Sequence, residues 1–118
     1  MNSHSLTLKL LLIICVLNVR ALNHTWGSLG IYDILLARDD VQHPGTLMSV
    51  TSQYIAFPPK YRGNYVIISA VRVWDWGFPK SFAYIDLVDG GPGYRHCKLY
   101  IESQRDEGFH VSIEYFGR

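Results

Sequence analysis

The chain has 118 residues, 48% of them hydrophobic and 18% charged, with a formal net charge of +1. That length suits one domain around one core, and the composition is too apolar for a disordered chain. No basic excess supplies the electrostatic footprint of a nucleic-acid binder or of a polybasic lipid anchor, so the expected partners include no directly bound nucleic acid and no membrane.

Residues 1–21, "MNSHSLTLKLLLIICVLNVRA", read as a secretory signal peptide. Lys9 precedes an apolar run from Leu10 to Leu17. Val19-Arg20-Ala21 offers the residues a signal peptidase reads, so cleavage is expected after Ala21. The run is less than half of the about 20 residues a spanning helix needs. Loss of Lys9 and Arg20 would leave 9 basic residues (11 − 2) against 10 acidic ones. Residues 22–118 then form a single secreted, extracellular β-domain. Cys15 leaves with the leader. Cys97 is left without an intrachain partner, either as a small buried hydrophobe or as a bridge between two chains in a dimer. Asn23-His24-Thr25 is a glycosylation sequon, which makes Asn23 a candidate modification site.

The rest of the chain alternates as strands do and shows no sustained helical period. "GIYDILLA" from Gly30 predicts a strand. "RDDVQHPG" from Arg38 is polar, ends in Pro-Gly and predicts a loop. "TLMSVTSQYIAF" from Thr46 predicts one or two strands, and "PPKYRGN" from Pro58 a break. "YVIISAVRVWD" from Tyr65 predicts a long central strand covered on both faces. "FAYIDLVD" places Ala83, Ile85 and Leu87 on one face. "YRHCKLYIES" does the same for Cys97, Leu99 and Ile101, and "FHVSIEYF" for Phe109, Val111, Ile113 and Tyr115. These last four strands predict an antiparallel meander, with the first half covering its apolar face. The expected fold is all-β, a small antiparallel sandwich or flattened barrel.

Gly90-Gly91-Pro92-Gly93 raises the possibility of a phosphate cradle. Such a loop needs a helix after it, whose amides hold the anion. The segment after Gly93 alternates as a strand, so the glycines predict a hairpin turn with positive φ. "RGNYVIIS" only faintly echoes an RNA-recognition strand and reads as a core strand. No nucleophile elbow is present, and His24, His43, His96 and His110 lack a zinc spacing. No catalytic residue, cofactor or metal site is therefore expected. His96 and His110 read as two exposed polar strand residues, with neighbours on a wet face as the less favoured alternative. A cleft around Asp86 or Asp89 would be needed for a hydrolase or lectin-like reading. The aromatic content, 14%, concentrates in "VWDWGFPK". Trp74 and Trp76 share a face. They either cap the core or, with Phe78, form a partner-binding loop. Asp75 is placed to cap a turn through its carboxylate.

The order "VIISAVRVWD", "AYIDLVDGGPG", "LYIESQRDEGFHVSIEYFG" resembles the insect family named for multiprotein bridging factor two, whose members are also called probable salivary secreted peptides. The resemblance covers about residues 64–118. It implies a compact β-domain with recurrent Asp75, Gly90, Gly91, Gly93, Ser103, Gly108 and Gly117 at turn and packing positions. It supplies no catalytic residues. It also implies two functions. With the export signal, the first expectation is a non-enzymatic salivary, venom or haemolymph component that binds a protein or small ligand. The alternative is a transcriptional coactivator, as the founding member is described, working with a nuclear receptor and a bridging factor.

Overall fold

In the computed structural model the described residues are 22–78 and 80–118. The leader expected over residues 1–21 lies outside them. Strict period-two alternation sorts side chains to two faces, and the apolar faces so formed build the core. Seven strands carry it: β1 (Leu22–Gly27), β2 (Ile34–His43), β3 (Ser52–Phe57), β4 (Ile68–Asp75), β5 (Tyr84–Gly90), β6 (Cys97–Glu102) and β7 (Phe109–Gly117). They form two antiparallel sheets, β1-β4-β7-β2 and β3-β6-β5, packed as a sandwich.

Val71 and Val73 of β4 and Val111 and Ile113 of β7 meet Leu99 and Ile101 of β6, all fully buried. Each such side chain contributes about 1.5–3 kcal/mol relative to exposure. Tyr115, also fully buried, stacks its ring on Phe57 at 4.4 Å and donates its hydroxyl to Asp39 at 3.0 Å. Burial, reinforced by the Asp39 charge, pushes its phenol well above the ordinary value.

The inward faces expected for β5, β6 and β7 are those observed. The first half supplies three strands, within the expected two or three, but one of them, β1, falls where no strand was predicted. Four details differ. The first predicted strand starts later, at Ile34, because Gly30–Asp33 closes a turn through the Asp33 amide and the Gly30 carbonyl. It then runs on through the expected loop to His43. The polar stretch is an edge strand with Arg38 and Asp40 outward and Asp39 inward, satisfied by Tyr115. One strand, β3, forms after Thr46, where one or two were expected. β4 is central, between β1 and β7, yet one of its faces carries Ser69, Arg72 and Trp74 and lies outside.

The fourth difference is the meander. β4 pairs with β7, and the β5–β6 hairpin lies in the opposite sheet. A flat four-stranded meander would leave its apolar face to be covered by the weaker first half. Crossing between sheets instead sets the two most apolar strands, β4 and β7, against β6.

Candidate interaction surface

Because Val71, Val73 and Asp75 point inward, Arg72 and Trp74 point outward, and Trp76 continues their row just past the strand. On neighbouring β7, Ser112, Glu114 and Phe116 share that outer face. The register sets Arg72 beside Glu114 and Trp74 beside Ser112. The Arg72 guanidinium lies 5.2 Å from the ring centroids of both Trp74 and Phe116. Trp74 and Trp76 stack at 6.3 Å with planes 21° apart. A continuous row results: Phe116, Arg72, Trp74, Trp76.

Hydrogen bonds from beneath hold the row in place. Glu114 Oε1 accepts from Trp74 Nε1 at 2.8 Å and from Arg72 Nε at 3.0 Å. The Ser112 hydroxyl accepts from Trp76 Nε1 at 2.8 Å and from Arg38 Nη2 at 3.4 Å, and donates to Asp40 Oδ1 at 2.6 Å. One hydroxyl hydrogen and two lone pairs are thereby all used. The polar edges of both indoles are tied down while their apolar bodies line the surface. Burial pushes the Glu114 carboxyl up, but the Trp74 and Arg72 bonds together outweigh it and hold the group below its ordinary range. Asp40 is held low chiefly by the Ser112 hydroxyl.

The tryptophans therefore lie on the outside of the sheet and do not cap the core. Trp76, 43% exposed, joins the row. Phe78 is half-buried in the following loop and stands outside it. Asp75 caps that loop as the sequence suggests. Its carboxylate, 1% exposed, accepts from the Gly77 amide at 3.1 Å and the Ala83 amide at 2.7 Å. Asn23 is exposed on the same outer face, directly opposite Trp74, and its side chain accepts from the Thr25 hydroxyl at 3.0 Å.

The recurrent positions are dispersed over turns and crossings. Gly90, Gly91 and Gly93 take φ of 66°, 103° and 92° in the β5–β6 turn, where the Gly91 amide donates to the His96 carbonyl at 2.8 Å. The turn is also tied to β4: Gly93 donates to the Ile68 carbonyl and Ile68 to the Tyr94 carbonyl, both at 2.8 Å. Ser103 is buried and accepts from the Thr51 amide at 2.9 Å, joining the ends of β3 and β6. At Gly108 a Cβ would stand 2.0 Å from the His43 carbonyl oxygen, so only glycine fits that crossing. Gly117 lies between Ile34 and Ile68 in the sheet.

Two further pairs of alternatives are decided. Cys97 is 2% exposed in the core, its thiol pushed up to about 12 by burial and then by the Asp89 charge, so it is not placed to bridge two chains. His96 and His110 do not meet. His96 lies 3.7 Å from Asp89, and His110, in the other sheet, lies 3.5 Å from Asp40.

Sequence reasoning missed Arg72, Ser112, Glu114 and Phe116. The signal was present as two same-face triplets, Arg72-Trp74-Trp76 and Ser112-Glu114-Phe116. Their adjacency depends on β4 pairing with β7, which local alternation does not encode.

The fold and this surface define a β-sandwich with a preorganised aromatic and cationic outer face, suited to holding a partner. The family model described as Transcription activator MBF2 matches residues 26–117, and the chain belongs to that family. No match was found among curated proteins or among solved structures. The family overturns the first expectation, a secreted salivary, venom or haemolymph binding protein, and favours the alternative of a coactivator. It likewise overturns the expected partner set, an unidentified protein or small ligand without nucleic acid, in favour of nucleic acid or the transcription machinery.

Proposed function

We propose that the chain is a transcription activator that works by binding, without catalysis, and that the row Phe116-Arg72-Trp74-Trp76 is a surface through which it contacts the transcription machinery. The observation that carries this reading is the family match, which runs from Trp26 in β1 to Gly117 at the end of β7 and so includes both strands that build the row. Tryptophan and arginine are the residues that most often dominate interface energetics. Here they are held by Glu114 and Ser112 before any partner arrives, which lowers the ordering cost of binding.

A reporter assay tests it. The chain, with and without residues 1–21, is expressed fused to a heterologous DNA-binding domain. Reporter activation is expected, and Trp76→Ala should reduce it at equal protein level. Absence of activation by either form would overturn the reading.

A further inference from the structure

The connections β1–β2, β3–β4 and β5–β6 meet at one end of the sandwich, and that end has a composition of its own. The Tyr61 and Tyr65 side chains are 91% and 89% exposed, and Ile31 and Tyr32 are 90% and 80% exposed. Large apolar side chains left exposed together at one end of a fold mark an interaction site. Lys60, Arg62 and Arg95 are exposed among these residues, and Arg118 beside them pairs with Asp33 Oδ1 at 3.7 Å. The three connections contain one acidic residue, Asp33, and it is turned inward. Its side chain is 1% exposed and accepts from the Gly30 amide at 2.6 Å and the Ser69 hydroxyl at 2.7 Å. Asp89, flanking in β5, lies 3.7 Å from His96. The outward charge of this end is therefore positive.

The end is also stitched together. Asn64 Nδ2 donates to the Arg95 carbonyl at 2.9 Å, binding the β3–β4 connection to the β5–β6 turn. The Ser28 amide donates to the Ser69 carbonyl at 3.3 Å, and the Arg118 amide to the Ile67 carbonyl at 3.3 Å. The Arg62 amide closes a turn on Pro59 at 2.9 Å, fixing the segment that carries Lys60 and Tyr61. Tyrosine and arginine presented from such a base form an anchor surface with little ordering left to do.

We infer that this end of the sandwich docks an acidic protein segment that also carries apolar side chains. The cations select the carboxylates, and the exposed Ile31, Tyr61 and Tyr65 take the apolar groups. A second copy of the chain would bring like charges together. A nucleic-acid strand would use the cations and tyrosines but leave Ile31 and Ile34, 90% and 59% exposed, uncovered. The inference rests on this end alone and does not depend on the tryptophan row.

The test measures fluorescence anisotropy of a labelled synthetic peptide alternating glutamate with leucine and phenylalanine, titrated with the full chain. Parallel titrations use the same peptide with lysine for glutamate and a single-stranded oligodeoxynucleotide. The acidic peptide is expected to bind, more weakly as salt rises. The double variant Arg62→Glu/Arg95→Glu should weaken it by at least about tenfold, or 1.4 kcal/mol. Tyr61→Ser and Tyr65→Ser alter only exposed side chains, so they serve if the charge-reversed chain does not fold, and each should weaken binding severalfold. Trp76→Ala should leave it unchanged. Absence of acidic-peptide binding, equal binding of the lysine peptide, tighter binding of the oligonucleotide, or indifference to all these end variants would each overturn the inference.

Discussion

Asp75, the last residue of β4, accepts a buried hydrogen bond of 2.7 Å from the amide of Ala83, just ahead of β5. The same carboxylate accepts from Gly77, so one side chain spans the loop by which the chain leaves one sheet for the other. Asp75→Ala would leave the 3%-exposed Ala83 without its partner. A cost of about 2–3 kcal/mol is expected, with Asp75→Asn recovering part of it, read from urea unfolding midpoints. Equal stability of Asp75→Ala and the parent chain would refute the bridging role.

The outer row and the turn at Asp33 predict a pH dependence. Glu114, Asp40 and Asp33 are all held below their ordinary values in the folded chain. The unfolded chain therefore binds protons more readily. The stability these carboxylates supply is complete above the ordinary values of 4.5 and 3.8 and is lost as pH falls through the lower folded values. Glu114→Gln should lower stability at neutral pH and flatten the acid limb between about pH 5 and pH 3. Parallel acid limbs for the two proteins would show that Glu114 does not anchor the indole and guanidinium as described. Trp74 fluorescence offers an independent readout of the same bond.

Cys97 predicts protection. A thiol 2% exposed and raised to about 12 offers almost no thiolate to a reagent at pH 8. In a Cys15→Ser chain, so that Cys97 is the one thiol, Ellman's reagent should react only as fast as the protein opens, and electrophoresis without reductant should show a monomer. A rapid reaction in the native state or a reducible dimer band would contradict the buried placement. Cys97→Ser puts a hydroxyl among apolar neighbours and should cost about 1–3 kcal/mol.

The glycine turn predicts a local and steep sensitivity. At Gly90 φ is +66° and a Cβ would stand 2.2 Å from the His96 carbonyl oxygen. Gly90→Ala should destabilise by more than about 1 kcal/mol, measured by thermal unfolding. Because that turn bonds to Ile68, amide exchange should quicken at Ile68 as well as in the hairpin. A change confined to residues 88–96 would show that the turn does not hold β4.

The last three strands were legible because their sequences alternate without interruption, and alternation alone fixes which face is buried. β2 was half hidden, since Arg38-Asp39-Asp40 looks like a loop until Tyr115 supplies the partner that lets Asp39 face inward. The common face of Trp74 and Trp76 was also readable. Its direction was not, because hydrophobicity would have buried the tryptophans and exposed Asp75, the reverse of what the loop bonds require. Strand pairing was beyond local reading altogether. Glu114 holds Trp74 and Arg72 from 40 and 42 positions away, and nothing near either tryptophan announces it.

The pairing of β2 with β7 also sets a clock. Asp40 and Ser112 are 72 positions apart, and β1 likewise has to wait for β4. Closing such distant contacts makes all-β domains slow, on the order of milliseconds to seconds. Until β7 arrives, the outward edge of β4 and the apolar sides of the β5–β6 hairpin stay open to other strands. A refolding chain is therefore most prone to association early, and dilution or a strand-masking chaperone should raise the yield of folded protein more than any gain in final stability.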